Sequence, residues 1–371
     1  MKIALIGSSN TIFIHSYQTL LNDNGHEVKV LNSNPNYEYS LHVNYIKREV
    51  KKNKFISIIK KISYYLKLDS YDFFLNGIER KDISRDLSEA DAKCLLNEVE
   101  NFNPDKIICF WGTTLRKEIK ALQKTSYKKT LIVNTYPTRT KFFDILDNKF
   151  LKEDKDYFSS FDHLILASRQ MEKLFKDSGY LESVTYNVIP DFIYSKNIAN
   201  LSNFSTKNIK NIVFLGNTDF NKRKIDDVSK EILELADYGY IVHIQPGENT
   251  LNHNNIKTFE SLNFEELKSK KRFEFLSKFD AIFYGYNDVC HHRYNCSITT
   301  RFALSEGVGL PVIMKGRPPI SLLSESLEVK IINYCHPKEI KELDDMSYCN
   351  NFNKNSLNQR FTEFLNTVEG N

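Results

Sequence analysis

Short apolar runs alternate with longer stretches of helical period along the whole chain, which is the signature of βαβ units around a parallel sheet. The first run is Lys2 to Ile6. A helical pattern through Ile12, Tyr17 and Leu21 follows, stopped by Asn24-Gly25, and a second strand is expected over Glu27 to Leu31. Gly25 suits a helix C-terminus and Val28 and Val30 are β-branched, so neighbouring signals agree. Further strands are expected at Lys106 to Phe110, Thr130 to Asn134, His163 to Ala167 and Val184 to Ile189, with Ser168 as N-cap of a helix after the third.

From Tyr194 to Asn208 the chain is rich in Asn and Ser and has no sustained apolar period, so a linker is placed there. The alternation restarts with a strand at Asn211 to Leu215, a helix over Ile225 to Leu235 and a strand at Tyr240 to Ile244. Strands follow at Ala281 to Tyr284, Pro311 to Met314 and Lys330 to Asn333. A last helix, Leu357 to Val368, carries Leu357, Phe361, Phe364, Leu365 and Val368 on one face, with its packing partner open between the two halves. The expected organisation is a Rossmann-like domain over 1–193, a linker over 194–208, a second Rossmann-like domain over 209–355 and a terminal helix over 356–371.

Length agrees with two domains, since single cores stop growing at roughly 250 to 300 residues and this chain has 371. Hydrophobic residues at 41% and charged residues at 26% suit a globular protein that buries real cores. The formal charge of +4 is too small to imply a nucleic-acid partner by bulk electrostatics, so any basic function is local. The six cysteines are scattered and no run of about 18 apolar residues appears, so reduced thiols and a cytoplasmic location are expected.

Five local motifs give the pattern a more specific meaning. Ala303-Leu304-Ser305-Glu306-Gly307-Val308-Gly309-Leu310-Pro311-Val312-Ile313 resembles the helix-to-strand junction of GT-B glycosyltransferases, family 4 in particular. Ile256 to Leu267 resembles the strand, loop and helix that carry the nucleotide base in that family, and Phe279 to Tyr284 resembles its next strand. In the first half, Gly25-His26-Glu27-Val28 is similar to the family's close of the first helix. Asp162 to Ser168 with Val188-Ile189-Pro190-Asp191 is similar to its last strand pair. The resemblance implies an α/β GT-B architecture of two Rossmann-like domains facing a cleft, the C-terminal one holding a nucleotide-sugar donor. It implies retention of anomeric configuration, no cofactor and no metal, with the nucleoside-diphosphate sugar as co-substrate. The acceptor it implies is a glycan or a lipid-linked species, in bacterial surface polysaccharide synthesis.

Candidate residues follow from the chemistry of a diphosphate. Concentrated negative charge suits a helix N-terminus with hydroxyls and a cation, and Ser297, Thr299, Thr300 and Arg301 supply these at the start of a helix. The loop with Gly216 and Asn217 leads to Arg223 and Lys224, where the family places a basic pair, and Lys222 stands beside them. A cation there stabilises charge on the departing nucleotide, which makes Arg223 and Lys224 the catalytic candidates. Gly7 and Ser8, after the first strand, approach the diphosphate from the other wall, and Phe259, Ser261, Leu262 and Tyr284 complete the donor set. His15, Trp111, Tyr136, Thr138 and Arg139 are the acceptor-side candidates. Where family members carry the second of two glutamates, which binds the donor ribose, Leu304 stands here, and Glu306 is the nearest carboxylate.

Other readings stay open beside these. Cys290-His291-His292 and Cys296 invite a zinc site, but adjacent histidines on an extended segment point oppositely and no second Cys or His pair lies nearby in sequence, so a loop bordering the donor site accounts for them better. The stretch 47–67 carries eight Lys or Arg and one acid, Glu49, with Phe55, Ile58, Ile59, Ile62 and Leu66 near one helical face. It suits either an anionic membrane surface, at the inner face of the plasma membrane, or a solvated helix packed on its own domain. A sugar-nucleotide epimerase and a non-catalytic sugar-nucleotide or glycan-binding protein are the alternative functions.

Overall fold

The computed structural model describes residues 1–7, 11–32, 89–110, 121–123, 125–134, 154–194, 209–216, 218, 227–247, 251–260, 262, 266, 269, 271–285, 295–296, 298–316, 318–319, 321, 327, 329–341 and 356–370. They form two compact units: one of residues 1–14, 21–167 and 171–188, the other of residues 15–20, 168–170 and 189–371.

The first unit is built on a six-stranded sheet of order β2-β1-β3-β4-β5-β6. Its strands are β1 (Lys2–Gly7), β2 (Glu27–Asn32), β3 (Lys106–Phe110), β4 (Lys128–Val133), β5 (His163–Leu166) and β6 (Thr185–Val188), every neighbouring pair parallel. Ile3, Ala4, Leu5 and Ile6 are buried in succession, as a strand covered on both faces requires. Helix α1 (Thr11–Asp23) ends where Asn24-Gly25 predicts. Gly25 takes φ 80°, its amide donates to the Asn22 carbonyl, and the His26 amide reaches back to the Leu21 carbonyl. That left-handed turn closes the helix and delivers the chain into β2. Helix α2 (Glu89–Phe102) leads into β3, and α3 (Arg169–Asp177) buries Met171 and Phe175. Phe175 packs with Phe158 and Tyr180 at ring separations of 4.9 to 5.3 Å.

The second unit repeats the architecture with its own sheet, of order β12-β11-β10-β7-β8-β9. Its strands are β7 (Asn211–Phe214), β8 (Ile241–Ile244), β9 (Ile256–Thr258), β10 (Ala281–Tyr284), β11 (Val312–Lys315) and β12 (Ile331–Tyr334), again all parallel. Counted from its own first strand the order is 3-2-1-4-5-6, that of the dinucleotide-binding folds. Helix α4 (Ser229–Asp237) begins four residues after the expected Ile225, because the Asp227 carboxylate takes the Ser229 amide at 3.1 Å and stops the chain there. Among the described residues the unit also has helices α5 (Lys271–Leu276), α6 (Thr300–Val308) and α7 (Ser356–Glu369).

One device recurs in both sheets. Asp105, Asp162 and Asp280 each stand just before a strand and accept an amide at the start of the neighbouring one, from its first residue at Lys2 (2.7 Å) and Asn211 (2.6 Å) and from its second at Lys129 (2.7 Å). A carboxylate there satisfies an amide that the ladder leaves over and pins the register of adjacent strands.

Helix α7 packs within the second unit. Phe364 is fully buried against Tyr17 (4.7 Å) and Phe192 (5.7 Å), and Phe361 lies edge-on to Phe192 and Tyr194. Ser16 and Tyr17 tie the same region by hydrogen bonds, Ser16 Oγ to the Phe192 carbonyl and the Tyr17 hydroxyl to Asp191. Burial and the Asp191 carboxylate hold the Tyr17 phenol well above its ordinary pKa, so it stays a neutral donor.

Candidate functional site

In a parallel sheet of this order, ligands lie beyond the C-terminal ends of the strands, where successive connections leave in opposite directions. In the second sheet that place is between β7 and β10, which pair directly. Phe214 ends β7, Leu215 and Gly216 follow it, and Tyr284 ends β10. Arg301, in the first turn of α6, lies across these ends. Its Nε donates to the Leu215 carbonyl at 3.3 Å, and its guanidinium sits 5.0 Å from the Phe214 ring and 5.6 Å from the Tyr284 ring. Facing aromatic rings stabilise a guanidinium and hold its plane in place.

The surrounding residues explain how the cation is set. Tyr284 packs edge-on against Phe302 at 4.5 Å, fixing the start of α6 on the end of β10. A Cβ at Gly216 would stand 2.1 Å from the Phe214 ring, so glycine lets the chain turn back over that ring. Gly247, after β8, likewise admits the Thr218 hydroxyl, which would be 2.1 Å from a Cβ. Thr299 is the N-cap of α6 in an extended conformation, its side chain makes no capping bond, and its hydroxyl oxygen is buried without a hydrogen-bond partner. No acid occupies the first turn. A helix N-terminus with a cation and a spare hydroxyl is arranged to receive an anion.

The structure thus brings together Gly216, Tyr284, Thr299, Thr300 and Arg301 from the sequence-derived candidates. Phe259 follows β9, its amide on the Ile244 carbonyl (3.1 Å) and its ring against Phe275 (5.1 Å), and Leu262 is half-buried. Gly7 belongs to the first unit, where a Cβ would stand 2.4 Å from Ile14 Cδ1 and 3.2 Å from Phe110 Cβ. His15 lies in α1, its carbonyl accepting the Thr19 hydroxyl. Glu306 is placed differently from a ribose ligand. Its carboxylate is buried in an ion pair with Arg360 of α7, the two side chains only 2% and 5% exposed. Leu304 packs on the apolar cluster of Val213, Leu276, Phe279 and Ile282. Ser8, Asn217, Ser261, Ser297, Lys222, Arg223, Lys224, Trp111, Tyr136, Thr138, Arg139 and the stretch 47–67 lie outside the described residues.

Two features escaped the local sequence pattern. Arg360 pairs across 54 positions, and its one local signal is an arginine in the apolar stripe of the last helix. Ser168, expected as an N-cap, does stand just before α3, and its hydroxyl donates to the Cys296 carbonyl. Burial pushes the Cys296 thiol up to about 12, which leaves it protonated and a poor nucleophile at neutral pH. Among the described residues no group of three or more His, Cys, Asp and Glu is gathered for a metal, and no helix is long and apolar enough to cross a membrane.

No family model and no curated protein matches the chain. Solved structures do resemble it. Sucrose-phosphate synthase from Thermosynechococcus elongatus is similar at 12% identity and a TM-score of 0.57, over 100% of this chain and 97% of that one. Anabaena HepE in complex with UDP is similar at 11% and 0.53 over the whole of both chains. The E. coli trehalose-6-phosphate protein bound with UDP-2-fluoro glucose is similar at 10% and 0.52, over 100% and 96%. The chain has the fold of the GT-B glycosyltransferases, with two six-stranded parallel sheets and flanking helices.

Proposed function

We propose that the protein is a glycosyltransferase that moves a sugar from a nucleoside-diphosphate donor to a glycan or lipid-linked acceptor in surface polysaccharide synthesis. The observation that carries this reading is Arg301, laid between the ends of β7 and β10 in the first turn of α6. A diphosphate bound there meets helix amides, the Thr299 and Thr300 hydroxyls and a fixed cation. Negative charge grows on the donor phosphate as its bond to the anomeric carbon breaks. A fixed cation is worth most at that moment because it needs no reorganisation. Arg223 and Lys224, which follow β7 in the sequence, add cations that take the place of a metal, and the resemblance to family 4 implies retention. Two of the similar structures hold UDP or a UDP sugar, which makes uridine nucleotides the first donors to try.

The test is thermal shift against UDP, GDP and ADP and their sugars, with wild type and Arg301→Ala. Binding at a hundred times Kd adds about 2.7 kcal/mol of stability. Arg301→Ala is expected to weaken affinity about tenfold or more, as loss of a charged hydrogen-bond partner does. Stabilisation by no nucleotide at all would defeat the proposal. Leu304 favours a second reading, a protein that binds a sugar nucleotide without transferring it. Its apolar packing leaves no glutamate at that position. Tight binding with neither transfer nor hydrolysis over an acceptor panel selects that reading.

On the glycosyltransferase reading the basic stretch 47–67 docks the enzyme on the inner face of the plasma membrane. Replacing Lys51, Lys52, Lys60 and Lys61 by Glu should then abolish sedimentation with anionic liposomes, and unchanged sedimentation sinks the docking.

A further inference from the structure

The Glu306–Arg360 pair stands on the wrong ends of both its helices. Glu306 lies in the last turns of α6, where the helix dipole disfavours an anion and no basic side chain of the same turn compensates it. Arg360 lies just past the first turn of α7, where the dipole disfavours a cation and no acid compensates. Both side chains are almost wholly buried, and taking two charges out of water is costly. A pair of apolar residues would stabilise the same contact at least as well. What the charges add is geometry. Nη2 of Arg360 donates to the Glu306 carboxylate, while Nη1 donates to the carbonyls of Asp191 (3.2 Å) and Pro190 (3.5 Å), and Nε to that of Ser356 (3.4 Å). The fork fixes α6 in register against the 189–194 segment and α7 together.

Helix α6 needs such a hold. It has nine residues, too few to be stable alone, and Arg301 stands five residues, or about 7.5 Å along the axis, before Glu306. Its far end is closed by Gly309 at φ 73° and by Ser305 donating to the Leu310 carbonyl, and its lead-in by Ser168 on the Cys296 carbonyl. Sliding or turning α6 by a fraction of a turn would withdraw Arg301 from between Phe214 and Tyr284. We infer that Arg360 is a positioning residue for the nucleotide site: by gripping Glu306 it aims the helix that carries Thr299, Thr300 and Arg301. The inference rests on the proposed nucleotide site, and it makes the last helix of the chain part of that site's machinery.

The test pairs hydrogen exchange of the 300–308 amides with UDP affinity by calorimetry. The variant is Glu306→Met with Arg360→Met, in which both charges leave together and the fold is retained. Protection over 300–308 is expected to fall about tenfold while the amides of β7 and β10 stay as in wild type. A second readout separates aiming from mere support. Arg301→Ala should cost tenfold or more in UDP affinity in the wild-type background and under about threefold in the double variant, because an unaimed arginine has little left to lose. Arg360→Lys keeps the charge and removes the fork, and it should loosen α6 as well. Unchanged 300–308 protection in both variants overturns the inference, and so does an equal cost of Arg301→Ala in both backgrounds. If wild type binds none of UDP, GDP and ADP, the glycosyltransferase reading falls by itself, and the exchange measurement still decides whether Arg360 holds α6.

Discussion

At His163, the first residue of β5, a neighbouring hydroxyl settles the tautomer. The Thr185 hydroxyl gives its one proton to the Asp162 carbonyl (2.7 Å), so its oxygen accepts from His163 Nδ1–H at 2.8 Å. Nε2 is then the bare nitrogen, and it is buried without a hydrogen-bond partner. Burial, with the Lys106 cation adding to it, lowers the His163 pKa from 6.5 to about 4. The sign of the consequence follows from linkage. Between pH 6.5 and about 4 the unfolded chain takes up a proton that the folded protein refuses, so stability present above pH 6.5 is lost as the pH falls through that window. His163→Asn removes the titration. Thermal midpoints measured from pH 7 to 4 should fall less steeply for the variant, and parallel profiles would defeat the assignment. The same scale shows why part of the candidate site was hard to read. Leu304 and Glu306 are two positions apart on α6, and a carboxylate near the expected ribose position is naturally assigned to a ligand. Only the arginine 54 residues later reveals that Glu306 already has a partner.

Among the elements, α7 shows where hydrophobic period succeeds and where it stops. The expected stripe of Leu357, Phe361, Phe364, Leu365 and Val368 contains three residues that are buried, Leu357, Phe364 and Val368. The innermost row runs at intervals of four through Ser356, Arg360, Phe364 and Val368. Reading by hydropathy leaves Arg360 outside, since arginine is almost never fully buried unless paired, and the pair lies far away in sequence. Phe364→Ala opens a hole between Tyr17 and Phe192 and should cost about 3 to 5 kcal/mol in urea unfolding, whereas a loss below 1 would mean that α7 is not seated there. Strands were far more legible: β3 and β10 have the bounds expected from their apolar runs, and the other expected strands differ by one residue at one or both ends, except β4, which starts two residues before the expected Thr130. Strands β1, β3, β4, β7, β10 and β11 are buried almost without a break, so composition alone marks them. Helix α2 went unread because its buried positions, Leu95 and Val99, form too narrow a stripe among charged neighbours. The hydroxyls and the cation at the start of α6 are legible because they are local signals, whereas the rings packed beside Arg301 come from β7 and β10 and need the sheet order.

For the whole molecule, the two sheets supply two separate cores, and each core has a position whose alteration marks it. A Cβ at Gly7 meets Ile14 and Phe110 within the first unit, so Gly7→Val overpacks that core by about 1 to 3 kcal/mol. Phe364→Ala weakens the second unit. Single domains unfold as cooperative units, so the protein is expected to melt in two steps, one lowered by Gly7→Val and the other by Phe364→Ala. This assigns the steps without any ligand. A nucleotide that binds at the α6 N-terminus binds the folded second unit alone, and mass action then raises only the step that Phe364→Ala lowers. At a hundred times Kd the rise is about 2.7 kcal/mol, large against calorimetric error. Arg301→Ala should erase most of that rise and leave the step itself nearly unmoved, since the side chain lies at the strand ends and not in the core between them. If UDP instead raises the step marked by Gly7→Val, the donor sits on the first sheet and the role given to Arg301 falls with it. One transition lowered equally by both substitutions would mean that the two cores melt as one. The energetic separation drawn from their sheets would then be wrong, although each sheet's own topology would stand.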